Sequence, residues 1–442
     1  MSHLEFAINR FGLGAPTNAP RPAQLPLPEP GTILALIGDS GAGKSLALEA
    51  LARRRGATIA KPLTCQQLGR PVLDLFDPAL PAARVLGLLA AAGLADATLW
   101  TRNANTLSQG ERRRLELALA LAGAVPESTL ILDEFDAHLD FTTALALACS
   151  LRKLAFRQCL RLVVSTHRPE LLPALGPGRV IEISSGQAQP RPELIVAKAR
   201  DLLCEFSLQR GKLADYARFA RWHYLGARRP GPVTDVFLAL WQGRPAGIAL
   251  FGYPHLFLSA RNLVLPQRYS SQAVAQGGAR LLNAEVRLLQ RVVIEPRFRA
   301  LGLASRLLAA SAPQVGVPFI ECLAEMGEFS GFLERAGFAR RGRCKPSREA
   351  KRLQATLAQC KLEARSLMDA AKREALLAAL PQNLRRRIKR QLLGLCRSRI
   401  ETGKGNLRGS TRAPQSLLQS ALMRLHCQPE YFLWERSRHE HA

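Results

Sequence analysis

The chain has 442 residues, long enough for two or three domains, and 47% of them are apolar, so well-buried cores are expected. No run of 18 apolar residues without charge occurs, so no segment is expected to span a bilayer and no transmembrane partner is implied. The formal charge of +27 is extreme for this length and points to a polyanionic partner.

The first residues, Met1–Phe11, contain Glu5 and Arg10 and have no continuous apolar core, so they do not read as a secretory signal. The nine cysteines include no Cys-x-x-Cys pair and read as reduced thiols, which implies a cytoplasmic location. The eight histidines show no ligand spacing, and His439 and His441 look incidental. Ala15–Pro30 carries six prolines and is expected to be an extended spacer packed on the domain that follows.

Thr32–Ile37 is a buried-strand run that delivers the glycine-rich turn Gly38-Asp39-Ser40-Gly41-Ala42-Gly43-Lys44-Ser45. Such a turn cradles phosphates with backbone N–H groups and a helix N-terminus. Gly38, Ser40, Gly41 and Gly43 would form the cradle, Lys44 would neutralise the β- and γ-phosphates, and the Ser45 hydroxyl would reach Mg²⁺. A small helical insert is expected at Ala82–Ala95. Thr106-Leu107-Ser108-Gln109-Gly110-Glu111-Arg112 follows. A second apolar strand ends in Leu132-Asp133-Glu134, with Asp133 aimed at the metal and Glu134 the candidate base for the attacking water. Leu139-Asp140 and a third strand, Arg161–Ser165, lead to Thr166-His167.

This ordered set, across residues 30–185, resembles the ABC-type ATPases. The resemblance implies that His167 contacts the γ-phosphate. It also implies that Ser108, Gly110 and Asp140 close over nucleotide held by a partner chain, giving an ATP-dependent head-to-tail homodimer. The sequence departs from the family at Gln109, where glycine is usual, and at Phe135, where proline is common. The Q-loop glutamine is Gln66 or Gln67, and Phe11 is the available adenine-stacking aromatic. A transport subunit would rarely carry the 250 further residues present here.

Ser184–Pro190 is a turn-rich boundary. A helical pattern over Lys212–Arg221 gives way to two strands, Asp235–Gln242 and Ala246–Tyr253, around a Gly243-Arg244 turn. Leu288–Ile294 is a further strand, followed by Arg299-Ala300-Leu301-Gly302-Leu303-Ala304 and a helix, Ser305–Ser311. The Arg-x-x-Gly-x-Ala turn, with a strand at Phe319–Cys322 and a closing helix-turn at Phe332–Phe338 after it, resembles the GNAT acyltransferases. That resemblance implies an acyl-CoA such as acetyl-CoA held by Val292, Ile294, Arg299, Leu301, Gly302 and Ala304. The leaving-group tyrosine often present in that superfamily is replaced by Leu333. A general base could be Glu285, Glu321 or His223, and Glu321 and His223 are taken as the catalytic candidates.

From Arg341 to the end there are 23 Lys/Arg against 8 Asp/Glu. Arg385-Arg386-Arg387-Ile388-Lys389-Arg390 is the densest cluster and is expected to contact nucleic acid. Arg221-Trp222-His223-Tyr224, Glu325-Met326-Gly327 and Tyr431–Trp434 give a distant similarity to phage Mom-type DNA base-modifying proteins. The expected architecture is α/β: an ABC-type nucleotide-binding domain (1–190), a GNAT-like α+β domain (195–345) and a basic, mainly helical C-terminal region (346–442). The leading functional expectation is an ATPase coupled to acyl transfer on nucleic acid. The alternatives are a nucleic-acid-bound ATPase with a degenerate transferase, in repair or mobile-element defence, and an ATP-regulated N-acetyltransferase of a protein or small amine.

Overall fold

The computed structural model describes residues 2–12, 22–53, 57–184, 187–223, 230–265, 268–398, 415, 418–419, 422, 425 and 428–436. Residues 15–21 of the spacer, Ser185 and Gly186 of the boundary, Tyr224, His439 and His441 lie outside them. The chain divides into two compact units, Met1–Leu250 with Arg291–Gln314, and Phe251–Gln290 with Val315–Ala442. The division runs through the expected second domain, whose first strands and Arg299–Ser311 segment fall with the nucleotide-binding residues.

In the first unit a six-stranded sheet runs in the order β2-β3-β4-β1-β5-β6. Its strands are β1 (Ile33–Ile37), β2 (Ala57–Ile59), β3 (Thr129–Leu132), β4 (Arg161–Ser165), β5 (Arg179–Ser184) and β6 (Gln187–Pro190). The first five are parallel, and β6 pairs antiparallel with β5. All five residues of β1 are buried, as a central strand covered on both faces requires. Leu34, Leu36, Ile131, Val163 and Ile181 pack with Leu48 and Leu51 of the Lys44–Ala52 helix. Leu25 of the proline-rich spacer joins this core. The helical insert forms as Ala82–Ala91.

A second, seven-stranded sheet has the order β12-β13-β11-β10-β9-β8-β7. Its strands are β7 (Phe206–Arg210), β8 (Val233–Trp241), β9 (Arg244–Gly252), β10 (Val286–Ile294), β11 (Phe319–Ala324), β12 (Ala339–Arg343) and β13 (Glu430–Glu435). In the first unit Tyr216, Phe219, Val236, Leu238, Ile248 and Val293 form a core. The Lys212–Arg221 segment is broken into short turns, with Tyr216–Phe219 its one α-helical stretch.

In the second unit, β10 and β11 are parallel. The C-terminal strand β13 inserts between β11 and β12, antiparallel to both. The last region is therefore not wholly helical: Arg348–Gln359, Ala370–Ala378 and Gln382–Ser398 are helices, and the chain then contributes a strand. Leu353, Leu357, Leu367, Leu377, Ile388, Leu392 and Leu395 make a separate core for the helices. Among the described residues no helix is long and apolar enough to cross a membrane.

Candidate nucleotide-binding site

The edges of three parallel strands bring the predicted phosphate-site residues together. β1 runs into a loop in which Gly38, Gly41 and Gly43 all take positive φ (135°, 78° and 100°), and Gly43 is the N-cap of the Lys44–Ala52 helix. A Cβ at Gly38 would lie 2.2 Å from the Ile183 carbonyl oxygen, so this position admits only glycine. Ser40 and Gly41 are exposed on the loop.

Lys44 is almost fully buried and folds back on the loop. Its Nζ donates to the carbonyls of Gly38 and Asp39, both at 2.8 Å, and lies 3.3 Å from His167 Nδ1. Burial lowers its pKa, and the nearby Glu134, Asp133 and Asp39 carboxylates act against that shift. Its loop carbonyl partners are of the kind that arriving phosphate oxygens can replace.

Asp133 and Glu134 follow β3. Asp133 Oδ2 accepts from Ser45 Oγ at 2.7 Å, and Oδ1 accepts from Ser165 Oγ at 2.6 Å. The Asp133 carbonyl accepts from Arg113 of the Gln109–Ala122 helix. Glu134 has a left-handed backbone (φ 45°), and its Oε1 sits 2.9 Å from His167 Nε2. His167 Nδ1 lies 3.2 Å from the Gly38 carbonyl, so this ring touches both the loop and the carboxylate.

A hydroxyl and a carboxylate oxygen together are the hard donor pair that suits Mg²⁺, which keeps waters and takes its remaining ligands from phosphates. Among the described residues there is no group of three or more His, Cys, Asp or Glu able to hold a metal by themselves. Ser45 and Asp133, in contact at 2.7 Å, present such a hydroxyl and carboxylate pair.

Ser108 caps the Gln109–Ala122 helix through a reciprocal box with Glu111, with Ser108 Oγ 2.9 Å from Glu111 Oε2. Gly110 packs on the segment after Glu134: a Cβ there would meet Leu139 Cδ2 at 2.7 Å and the His138 carbonyl at 3.3 Å. Asp140 caps the Phe141–Gln158 helix and accepts from Thr143 Oγ1 at 2.6 Å. Burial would raise its carboxyl, but the Thr143 hydrogen bonds hold it below the usual range. Gln67 is spent on a capping box with Thr64, and Gln66 is exposed. Phe11 is exposed at the end of the His3–Phe11 helix, and Phe135 is buried in the core.

Sequence similarity covers the stretch that holds Ser108, Asp133, Glu134, Asp140 and His167. Residues 99–172 match the family model described as "AAA domain, putative AbiEii toxin, Type IV TA system". A stretch of 213 residues is 30% identical to ABC transporter G family member 4 of Arabidopsis thaliana. It covers 41% of this chain and 35% of the plant protein, so the match spans about a third of that relative. Over residues 99–172, the chain is thus similar to an AAA-type ATPase domain. Among solved structures, a bacterial Atm1-family ABC exporter with ATP bound overlaps 42% of this chain and 43% of its own, at 16% identity and a TM-score of 0.32. A dimeric ATP-binding cassette in a post-hydrolysis state with ADP and Pi overlaps 38% of this chain and 88% of its own, at 22% identity and a TM-score of 0.31.

The residues expected to serve acyl transfer occupy different surroundings. Glu321 does not face a cleft: it is fully buried on β11, its two oxygens bound by Arg261 at 2.7 and 2.9 Å, with Tyr431 Oη donating at 3.3 Å. A base so neutralised has no route to a substrate. Arg299 is turned from its own turn toward Asp96, with 3.4 Å between the charged groups, and also donates to the Ile294 and Trp222 carbonyls. The Leu301 carbonyl accepts from Lys153 Nζ at 3.1 Å. Val292, Ile294, Gly302 and Ala304 are half-buried. Burial pulls the His223 pKa down to about 4, so its imidazole is neutral at pH 7. Glu285 is engaged by Arg268 and Tyr269.

In the basic cluster, Arg386, Arg387 and Arg390 are exposed. Arg385 is used internally, donating to the Leu377 and Ala378 carbonyls at 2.8 and 2.6 Å at the end of the preceding helix. Lys389 pairs with Glu374 at 3.0 Å. Sequence reasoning missed the roles of Ser165 and Arg113, which a serine within an apolar strand and an arginine two places after Glu111 could have suggested.

Proposed function

We propose that the chain hydrolyses ATP as a head-to-tail homodimer and that this ATPase works with a GNAT-like second domain on nucleic acid. The single observation that carries the ATPase part is the continuous network from Ser45 through Asp133 and Ser165 to Glu134 and His167. In this reading Lys44 exchanges its carbonyl partners for β- and γ-phosphate oxygens. Ser45 and Asp133 would hold Mg²⁺, which when bound would supply charge neutralisation on the phosphates. Glu134 orients and deprotonates the attacking water, and His167 holds the Glu134 carboxylate and contacts the γ-phosphate. Ser108, exposed at the start of its helix, and Asp140 complete the partner's site.

The GNAT-like reading is supported by a geometric likeness. Gly302 at the N-cap of the Leu303–Ser311 helix has φ 96° and ψ 11°, beside φ 100° and ψ 12° for Gly43 in the phosphate loop. Both turns follow a strand and open a helix, the arrangement suited to a phosphate group. The burial of Glu321 and the engagement of Arg299 favour a second reading, a nucleic-acid-bound ATPase in repair or mobile-element defence whose transferase fold does no acyl transfer.

Glu134→Gln tests the first part. It is expected to abolish turnover, keep ATP bound, and shift the protein to a dimer in size-exclusion chromatography with ATP. A monomer under saturating ATP overturns the composite-site reading. Calorimetric titration with acetyl-CoA separates the two transferase readings, since absence of binding favours the second.

A further inference from the structure

We propose that Ser165 is a positioning residue of the ATPase reaction, one hydroxyl fixing both the metal-facing carboxylate of Asp133 and the backbone of Glu134. The inference rests on the reading that Mg²⁺ and ATP are used at this site. Ser165 ends β4 and is fully buried, a polar side chain directly after the buried apolar run Leu162–Val164. Its Oγ donates to Asp133 Oδ1 at 2.6 Å and accepts the Glu134 N–H at 2.7 Å. A hydroxyl has one proton to give and lone pairs to receive, so both bonds are satisfied together.

The two oxygens of Asp133 thereby have separate tasks. Oδ2 is bound by Ser45, which lies on the phosphate-loop helix and must turn its hydroxyl to a metal that comes with nucleotide. Oδ1 is bound from the sheet interior by the fully buried Ser165. When Oδ2 changes partner, the bond to Ser165 keeps the carboxylate plane fixed.

The second bond acts on Glu134. This residue takes a left-handed φ of 45°, a conformation that disfavours side chains other than glycine. Its N–H is held by Ser165, and its carbonyl accepts from Ala137 N at 2.9 Å. That twist directs the carboxylate to His167. Ser165 acts through Asp133 and Glu134, the two groups its hydroxyl binds.

The test uses the full chain carrying Ser165→Ala or Ser165→Cys. Ala removes the hydroxyl. Cys fills the volume but gives only a weak donor, so it is expected to follow Ala. A fluorescent ATP analogue is titrated in EDTA and then against Mg²⁺, alongside kcat, KM and melting temperature. The expected result is metal-free nucleotide affinity within about twofold of the unmodified protein. The Mg²⁺ concentration for half-maximal effect should rise severalfold, and kcat should fall about tenfold with KM little changed, the size of effect expected for losing one hydrogen bond to a charged group.

Unaltered Mg²⁺ dependence in either folded variant overturns the proposal. So does a collapse of metal-free affinity, which would make Ser165 a scaffold of the loop. If the Ala variant fails to fold, the Cys variant decides. If the unmodified protein binds Mg²⁺ and nucleotide without turnover, the hydrolysis reading fails by itself, and the Mg²⁺ titration still decides the role of Ser165.

Discussion

Asp96 and Arg299 form an ion pair at 3.4 Å that is largely shielded from water, the two side chains being 15% and 10% exposed. Asp96 also caps the Ala97–Trp100 helix by accepting the Thr98 N–H at 3.0 Å. Burial lowers the Arg299 pKa, and the Asp96 carboxylate opposes that shift. With Lys153 holding the Leu301 carbonyl, the turn before the Leu303–Ser311 helix is anchored to the ATPase fold at two points. Removing one partner strands the other charge. Arg299→Ala is therefore expected to cost about 2 kcal/mol in urea unfolding, less than the ~3–5 kcal/mol of a fully buried pair. Asp96→Ala should cost a similar amount, and the double variant clearly less than the sum. Simple additivity would mean that the two side chains do not stabilise each other.

Gly38 and Gly41 separate two reasons for glycine in one loop. At Gly38 an added Cβ would strike the Ile183 carbonyl at 2.2 Å, a backbone atom that cannot move away without disturbing β5. At Gly41 nothing lies within 4 Å, and only the positive φ of 78° resists a side chain. Gly38→Ala is expected to abolish nucleotide binding and lower stability. Gly41→Ala should cost about 1 kcal/mol and retain measurable binding. Differential scanning fluorimetry with and without ATP reads both, and equal losses would count against the steric account.

Much of this site was legible because its chemistry is local. The strand expected at Arg161–Ser165 is β4 to the residue, and the apolar runs before Gly38 and Asp133 became β1 and β3. Each carries its candidate residue at or just after the strand end, where a parallel sheet exposes it. What sequence could not reveal depends on pairing between distant segments. Tyr431–Trp434 is too short an apolar run to declare its neighbours, yet β13 completes a sheet between β11 and β12, with Glu430 binding Arg340 and Arg343 at 2.8 Å. Glu321 is a candidate general base in sequence because Arg261, its partner, lies 60 residues away. Arg299 sits in a motif that suggests a phosphate ligand, but the acidic residue it meets is on another domain-sized segment.

His223 sets a pH dependence. Its pKa is lowered from 6.5 to about 4 by burial. As pH falls below about 6.5, the unfolded chain takes up a proton that the folded chain refuses until about pH 4. The unfolded state thus binds more protons in this window, so this contribution to stability is complete above pH 6.5 and is lost progressively toward pH 4. His223→Gln should flatten the acid limb of the urea midpoint plotted against pH. A His223 ring titrating near 6.5 by NMR would contradict the burial.

The basic cluster makes the last prediction, because its five cations do not have equal freedom. Arg385 satisfies carbonyls at the end of the Ala370–Ala378 helix, and Lys389 is paired with Glu374. Arg386, Arg387 and Arg390 are exposed and can turn to phosphates. If those three release counterions on duplex DNA, they account for a slope of about −2.7 in log K against log salt. Changing the three together to Ala should reduce the slope by that amount and weaken binding uniformly across sequences, since phosphate contacts carry no base information. Arg385→Ala should leave the slope nearly unchanged and instead lower the melting temperature, because the carbonyls it satisfies lose their donor. Fluorescence anisotropy at several salt concentrations reads the first effect and thermal melting the second. A triple variant with an unaltered slope would mean that these arginines remain solvated and that the charge responsible lies elsewhere in the chain.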